Sequence, residues 1–277
     1  YRFELLSYIN HSDIICLCEA PGGFIQCITK LAEYHDYHIN NIHTITLISD
    51  STYIPYWSNH IMNDPLVNIH TGVDGTGDIF KLTNVLKFIK DIPRKSMLIT
   101  GDGGFDYSID YNKQEQLSYP LIYSEIMIAL SSQKDGGIFI CKIFDIFYLG
   151  TFQLLYLLCL SYEEVLLYKP KMSRLSNSEK YIVCKGFKGY NKDIMNILIR
   201  NFGKEIINIE LPEEYIHDIQ KYNKGFVNMQ IINIEKCFQN IKYNNFSEKI
   251  QIAKEWCQKY NIPVNNNSKY FKNIYRK

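Results

Sequence analysis

The chain has 277 residues, 46% of them hydrophobic and 21% charged, and its 30 Lys and Arg nearly balance 29 Asp and Glu for a formal charge of +1. That length and balance suit a soluble protein with one large core, or one core with an appendage. They exclude a polybasic carpet, so a nucleic-acid partner has to be met in a local groove.

Apolar Phe3, Leu6 and Ile9 predict a short helical face over 2–9, packed beside the first strand. That strand, Ile14 to Cys18, runs into Glu19-Ala20-Pro21-Gly22-Gly23-Phe24, where proline sets a turn and two glycines open a helix to about Tyr34. A glycine turn at a helix N-terminus offers N–H groups with no side chain in the way, which suits a nucleotide-like ligand; glycine there also serves plain packing. Cys16, Cys18, Cys141 and Cys184 fall in apolar, strand-like runs, which predicts reduced, buried thiols and not a disulfide framework. Cys16 and Cys18 lack partners at zinc-finger spacing, so no metal is expected. His35, His38 and His43 read as surface residues flanking the next strand.

The second strand, His43 to Ile48, ends at Ser49-Asp50. Asp50 is either an acid meeting a ribose hydroxyl pair or a turn or cap residue. A third strand, Val67 to His70, precedes Gly72-Val73-Asp74-Gly75-Thr76-Gly77-Asp78-Ile79, glycine-rich enough to wrap a flat ring. Asp78 accepts from an amino group of that ring with Ile79 against its face, or caps the helix Leu82 to Ile89. Met97 to Thr100 is the fourth strand and delivers Asp102 to the sheet edge within Gly101-Asp102-Gly103-Gly104, where glycine permits positive φ and close approach of a ligand.

Gln114 to Ser132 is predicted as a long amphipathic helix and Gly136 to Ile143 as the fifth strand. Lys142 sits there among Ile138, Phe139, Ile140, Cys141, Ile143 and Phe144, an unusual place for a lysine unless it snorkels at the sheet rim. A helix, Leu149 to Leu160, carries the longest apolar run, too short to cross a bilayer. The strand Val165 to Tyr168 then leads to a basic, hydroxyl-rich loop from Lys169 to Glu179, before a last strand, Tyr181 to Lys185. This alternation predicts one sheet covered on both faces, with ligands at the strand C-termini. After Gly189 the pattern turns helical and rich in Asn and Lys, dividing the chain into 1–189 and a helical extension, 190–277, whose basic tail is solvated or touches an RNA backbone. The chain begins at Tyr1, as an excerpt of a longer protein would, and its Ile, Asn, Lys and Tyr usage hints at an AT-rich genome.

The motifs Cys18 to Phe24, Gly75 to Ile79, Asp102 to Phe105, Asn112 to Glu115, Ile140 to Asp145 and Ser173 to Tyr181 together resemble the FtsJ-like ribose 2′-O-methyltransferases. The likeness is greatest to the eukaryotic and large-DNA-virus enzymes that methylate the first nucleotide of capped mRNA, and runs from about Phe3 to Lys188. It implies an α/β, Rossmann-like methyltransferase sheet covered by helices on both faces, with a C-terminal helical extension. S-adenosyl-L-methionine would be held by Cys18, Glu19, Ala20, Pro21, Gly22, Gly23, Phe24, Asp50, Asp78, Ile79 and Asp102. Asp102, Lys142 and Glu179 match the last three members of a catalytic Lys-Asp-Lys-Glu tetrad, with Lys142 as base and the carboxylates orienting it. RNA would meet Asn112, Lys113, Gln114, Lys171, Ser173, Arg174 and Asn177.

Aligning a family glutamate with Glu4 puts Tyr1 where the first tetrad lysine belongs, so that lysine is expected just upstream. Without it, a silent cofactor- and RNA-binding subunit is the alternative; ribosomal or transfer RNA is a third. The implied partners are RNA, capped mRNA first, and other capping or transcription proteins, with no membrane. The implied setting is intracellular: host cytoplasm or virion for a viral protein, nucleus for a cellular one. Tyr53, Tyr56 and Trp57 either stack on a methylated guanine from an exposed loop or pack in the core.

Overall fold

In the computed structural model the described residues are 5–51, 53–105, 107, 110–170, 173–239, 246–259 and 263–267. Short apolar segments with strand periodicity form β1 (Ser12–Leu17), β2 (Ile39–Ile45), β3 (Val67–His70), β4 (Ser96–Gly101), β5 (Gln133–Ile143), β6 (Tyr162–Tyr168) and β7 (Lys180–Phe187). They make one sheet in the order β3-β2-β1-β4-β5-β7-β6. The first five pair in parallel, while β7 lies antiparallel to both β5 and β6. Parallel neighbours need crossovers. The helices supplying and surrounding them are α1 (Gly23–Tyr34), α2 (Asn59–Met62), α3 (Leu82–Asp91), α4 (Gln114–Ser132), α5 (Leu149–Ser161), α6 (Lys192–Asn201), α7 (Glu213–Gln239) and α8 (Phe246–Lys259). Among the described residues no helix is long and apolar enough to cross a membrane.

Alternation along the strands feeds two cores. Ile14 and Cys16 of β1, Leu98 of β4, Ile138 and Ile140 of β5 and Val183 of β7 pack with Ile25 of α1, Ile61 of α2 and Trp57. Their neighbours Ile15, Leu17, Ile99, Phe139, Cys141, Ile182 and Cys184 face the larger core with α3, α4 and α5. The sheet is therefore covered on both faces, as the alternation predicts. The chain winds outward from β1 in both directions, so the ends of β1 and β4 flank a switch point where ligands collect.

Several expectations need correcting. α4 is not amphipathic: every residue from Leu121 to Ser132 is buried, because the helix lies within the larger core. His43 is not a surface residue but is 4% exposed within β2, its Nδ1 3.1 Å from His70 Nε2. Burial pushes both rings below the ordinary histidine range. β2 ends at Ile45, three residues short of the predicted Ile48. Of the two readings of the aromatic loop, core packing holds for Trp57, 3% exposed, while Tyr53 is 90% exposed. The helices expected after Gly189 are present, and the first of them share the sheet's core: Ile194, Met195, Leu198, Ile207 and Ile219 belong to the larger cluster. Tyr123 OH in α4 donates to Leu198 O at 2.6 Å.

Candidate active site

The turn after β1 is built by local contacts. Cys18 leaves the strand at φ +56, with its N–H on Ile45 O at 2.9 Å. Glu19 then turns inward, 4% exposed, and Oε1 accepts from Ile25 N at 2.8 Å, satisfying a donor in the first turn of α1. Its Oε2 is buried without a partner among the described residues, and burial pushes the carboxyl up to about 8. Gly22 holds φ +110, and a Cβ there would stand 2.5 Å from Ile61 Cγ1; at Gly23 a Cβ would meet nothing within 4 Å among the described residues. The two glycines thus differ: Gly22 is required by backbone and packing, while Gly23 opens onto space.

The loop after β3 is a second local structure. Asp74 Oδ1 accepts from Thr76 N, Thr76 Oγ1 and Asn84 Nδ2 at 2.7–3.0 Å, and Lys81 Nζ reaches Oδ2 at 2.7 Å. Gly77 passes so close to β2 that a Cβ would sit 1.9 Å from Thr46 O. Asp78 caps no helix with its side chain; Oδ1 accepts from Phe80 N at 2.9 Å. Ile79 is 3% exposed in the larger core, and the exposed apolar residue beside it is Phe80, its ring 5.8 Å from that of Phe105. Asp50 lies exposed five residues beyond the end of β2.

Asp102 follows β4, its N–H bonded to Leu17 O at 3.1 Å. Lys142, near the end of the adjacent β5, donates from Nζ to Asp102 O at 2.9 Å and stands 3.4 Å from Oδ1, its side chain only 14% exposed. Tyr181 is opposite Lys142 in the antiparallel register and donates to Asp102 Oδ1 at 3.1 Å. Burial raises the Asp102 carboxyl, and the Lys142 charge and the Tyr181 hydroxyl oppose that rise. Glu179 also raises it; its Oε1 accepts from Ser173 Oγ at 3.1 Å.

The glycines around Asp102 need no positive φ, contrary to the reading from sequence. They are small because α4 lies beneath: a Cβ at Gly101 would be 2.8 Å from the Glu125 carboxyl carbon, and one at Gly103 2.4 Å from Leu121 Cδ2. Glu125 is fully buried, accepts from Gly103 N at 3.1 Å and from Cys141 Sγ at 3.2 Å, and is pushed up to about 7 by burial. Burial pushes the Cys18 thiol up, and the Glu125, Asp78 and Asp102 charges add to that while Lys142 opposes it.

Among the RNA candidates, Asn112 and Lys113 are exposed, and Gln114 Oε1 accepts from Ser178 Oγ at 2.5 Å, joining two segments 64 residues apart in sequence. Arg174 is exposed. Asn177 is engaged structurally, its Oδ1 accepting from Lys169 Nζ, which also donates to Asn177 O at 3.1 Å. Lys171 lies outside the described residues, as do Tyr1 and Glu4. Sequence reasoning missed Tyr181, Glu125 and Lys180. A polar residue in an otherwise apolar helix was the available signal for Glu125; Tyr181 needed the β5–β7 register.

A switch point with a glycine turn on one side and a half-buried Asp–Lys pair on the other defines a Rossmann-like, doubly wound α/β protein with a ligand site at its strand ends. The chain belongs to the FtsJ-like methyltransferase family, which matches residues 2–187. Cap-specific mRNA (nucleoside-2′-O-)-methyltransferase 1 of Mus musculus is 30% identical over 295 residues, 92% of this chain and 34% of the relative. The Leishmania braziliensis protein of that name is 36% identical over 177 residues, 63% of this chain and 44% of its own. The chain therefore spans less than half the length of either. A crystal structure of human methyltransferase-like protein 13 in complex with SAH aligns with TM-score 0.44 and 10% identity, covering 81% of this chain and 85% of that one.

Proposed function

We propose that this chain transfers a methyl group from S-adenosylmethionine to a ribose 2′-hydroxyl of RNA, and that the RNA is capped mRNA. The observation that carries the reading is the Asp102–Lys142 pair, 3.4 Å apart at the ends of adjacent strands. Family membership supports the donor, and the residues present fit it: Glu19 Oε2 is a buried polar atom without a partner among the described residues, and Gly23 leaves space at the helix N-terminus. Residues 19–24, with the turn around Asp78, would hold it. The names of the relatives support the capped substrate.

When bound, the cofactor supplies a methyl group already activated by its sulfonium. The remaining work is to align the hydroxyl and take up its proton. In this reading Lys142 Nζ must enter the step as the neutral amine to receive that proton, and Asp102 O and Oδ1 set its position. Tyr181 fixes the Asp102 carboxylate from the other strand. Glu179, steadied by Ser173, orients the hydroxyl from the rim. RNA runs along Asn112 to Gln114 and the segment 173–179, which Gln114 and Ser178 join.

The test is transfer of labelled methyl groups to matched capped and uncapped RNAs. Transfer to the capped RNA alone is expected. Equal transfer to both overturns the cap assignment, and cofactor binding without transfer to any RNA replaces the enzyme with an RNA-binding subunit.

A further inference from the structure

The family match ends at residue 187, yet α7, at residues 213–239, packs back onto α5 and the chain leaving β5. Tyr215 OH donates to Phe152 O at 2.9 Å, Ile219 lies in the larger core, and Asn223 Nδ2 donates to Ile146 O. One turn further, Phe226 is 8% exposed and presents its ring to two lysines. Lys180 Nζ lies 4.1 Å from the ring centroid and Lys169 Nζ 5.8 Å.

Those lysines are the fastenings of the Glu179 segment. Lys180 is 1% exposed, follows Glu179 directly, and donates to Phe144 O, with Asp145 Oδ1 at 3.8 Å. It thereby ties the start of β7 to the chain leaving β5 just past Lys142. Lys169, at the end of β6, donates to Glu179 O and to both oxygens of Asn177. An aliphatic residue at position 226 would bury a similar volume but offer no negative face to cations taken out of water.

We infer that Phe226 is a positioning residue: by holding Lys180 and Lys169 against its ring, α7 fixes Glu179 and residues 173–177 relative to the Asp102–Lys142 pair. The extension is then a working part of the site. The catalytic consequence rests on the methyltransfer reading, whereas the fixing of the segment does not.

The discriminating pair is Phe226→Leu, which keeps apolar bulk without the ring, and Phe226→Trp, which keeps a ring. The first readout is hydrogen exchange in cofactor-free protein at Ser173 and Asn177, whose amides bond to Pro170 O and Arg174 O at 3.0 and 3.2 Å. Exchange should speed about tenfold in the Leu variant, and by much less in the Trp variant. The second readout is methyl transfer to capped RNA: kcat should fall about tenfold for Leu and recover in Trp, with cofactor affinity unchanged. Equal behaviour of the two variants in exchange overturns the inference, whatever the activity. Exchange that responds in a protein with no methyl transfer upholds the fixing role and removes only the functional reading. Should Phe226→Leu fail to fold, Lys169→Met removes one cation from the rim, and unchanged exchange at Asn177 in that variant likewise overturns the inference.

Discussion

The two sides of the crevice are assembled over different distances along the chain. On the glycine-turn side the carboxylates find near partners, Glu19 at Ile25, Asp78 at Phe80 and Asp74 at Thr76, all within six residues, while a few longer contacts such as Cys18 N–H to Ile45 O tie the turn to β2. On the other side Lys142 reaches Asp102 across 40 residues and Tyr181 reaches it across 79. A turn closed by near neighbours is specified by its own sequence. A cluster drawn from β4, β5 and β7 exists only when the sheet has its register, and a one-residue slip of β7 would turn Tyr181 to the opposite face. The same contrast says where substitutions act: locally on the cofactor side, through strands and α4 on the other.

The sharpest way to separate the sides is at Lys142. Lys142→Ala should lower methyl transfer about a thousandfold while cofactor affinity stays within about twofold, because the lysine serves only the hydroxyl. Lys142→Arg should be nearly as damaging, since a guanidinium holds its protons and cannot accept another. Single-turnover transfer at the wild-type rate in the Arg variant would remove the base role.

Glu125 tests whether the far side depends on its buried support. Burial raises its carboxyl from 4.5 to about 7, so the folded protein binds that proton more tightly than the unfolded chain. For an acid shifted upward the stabilisation is greatest at low pH and is lost as pH rises from about 4.5 to about 7, a change of up to about 3 kcal/mol. Glu125→Gln keeps an acceptor for Gly103 N without the titration. Urea midpoints measured across that window should fall less steeply in the variant; parallel curves would mean that Glu125 does not carry the dependence. Glu19, raised to about 8, leaves a residual slope in both proteins.

What could be read beforehand follows this division. The strands, their alternation and the Pro21-Gly22-Gly23 turn depend on nearby residues, and each appeared within a few residues of its expected place. Asp102 and Lys142 stood out because a carboxylate and a lysine closed otherwise apolar strands. The reasons behind the glycines did not appear: Gly101 and Gly103 are small because Glu125 and Leu121 lie beneath them, which only the packing of α4 reveals. Ile79, read as a ligand contact, and Trp57, read as either stacking or core, both belong to the core, since an apolar residue beside a loop looks the same in either role.

Within the cofactor turn the two glycines should part company. Gly22→Val forces a β-branched residue to φ +110 and against Ile61 at 2.5 Å, so it should cost about 2 kcal/mol or more of stability. Gly23→Val fills space instead and should leave thermal unfolding unchanged while weakening cofactor binding in calorimetry. Undiminished affinity in that variant would move the cofactor off this turn. A smaller effect belongs to Tyr181→Phe, which removes one hydrogen bond to Asp102 and should slow transfer about tenfold. The lost bond lowers the Asp102 carboxyl in the native protein, so its absence should move the acid limb of the pH–rate profile upward. An acid limb that stays in place would exclude the carboxylate from the rate.

The mildest change concerns Arg174, and it tests whether the long-range side also carries the RNA. In the segment 173–179, Ser173 is bonded to Glu179, Asn177 to Lys169 and Ser178 to Gln114. Arg174 contributes its carbonyl to the turn, accepting from Asn177 N at 3.2 Å, and its side chain is exposed. Replacing it by alanine therefore leaves the turn's backbone bond in place and removes a cation beside the crevice. A guanidinium on a phosphate adds affinity through counterion release, without regard to sequence. Arg174→Ala should weaken binding of different RNAs alike and lower the slope of log K against log salt by about one. Titrations at several ionic strengths measure that slope directly. An unchanged slope would place the phosphate path away from this segment, and leave Glu179 with its role at the hydroxyl but no part in the groove.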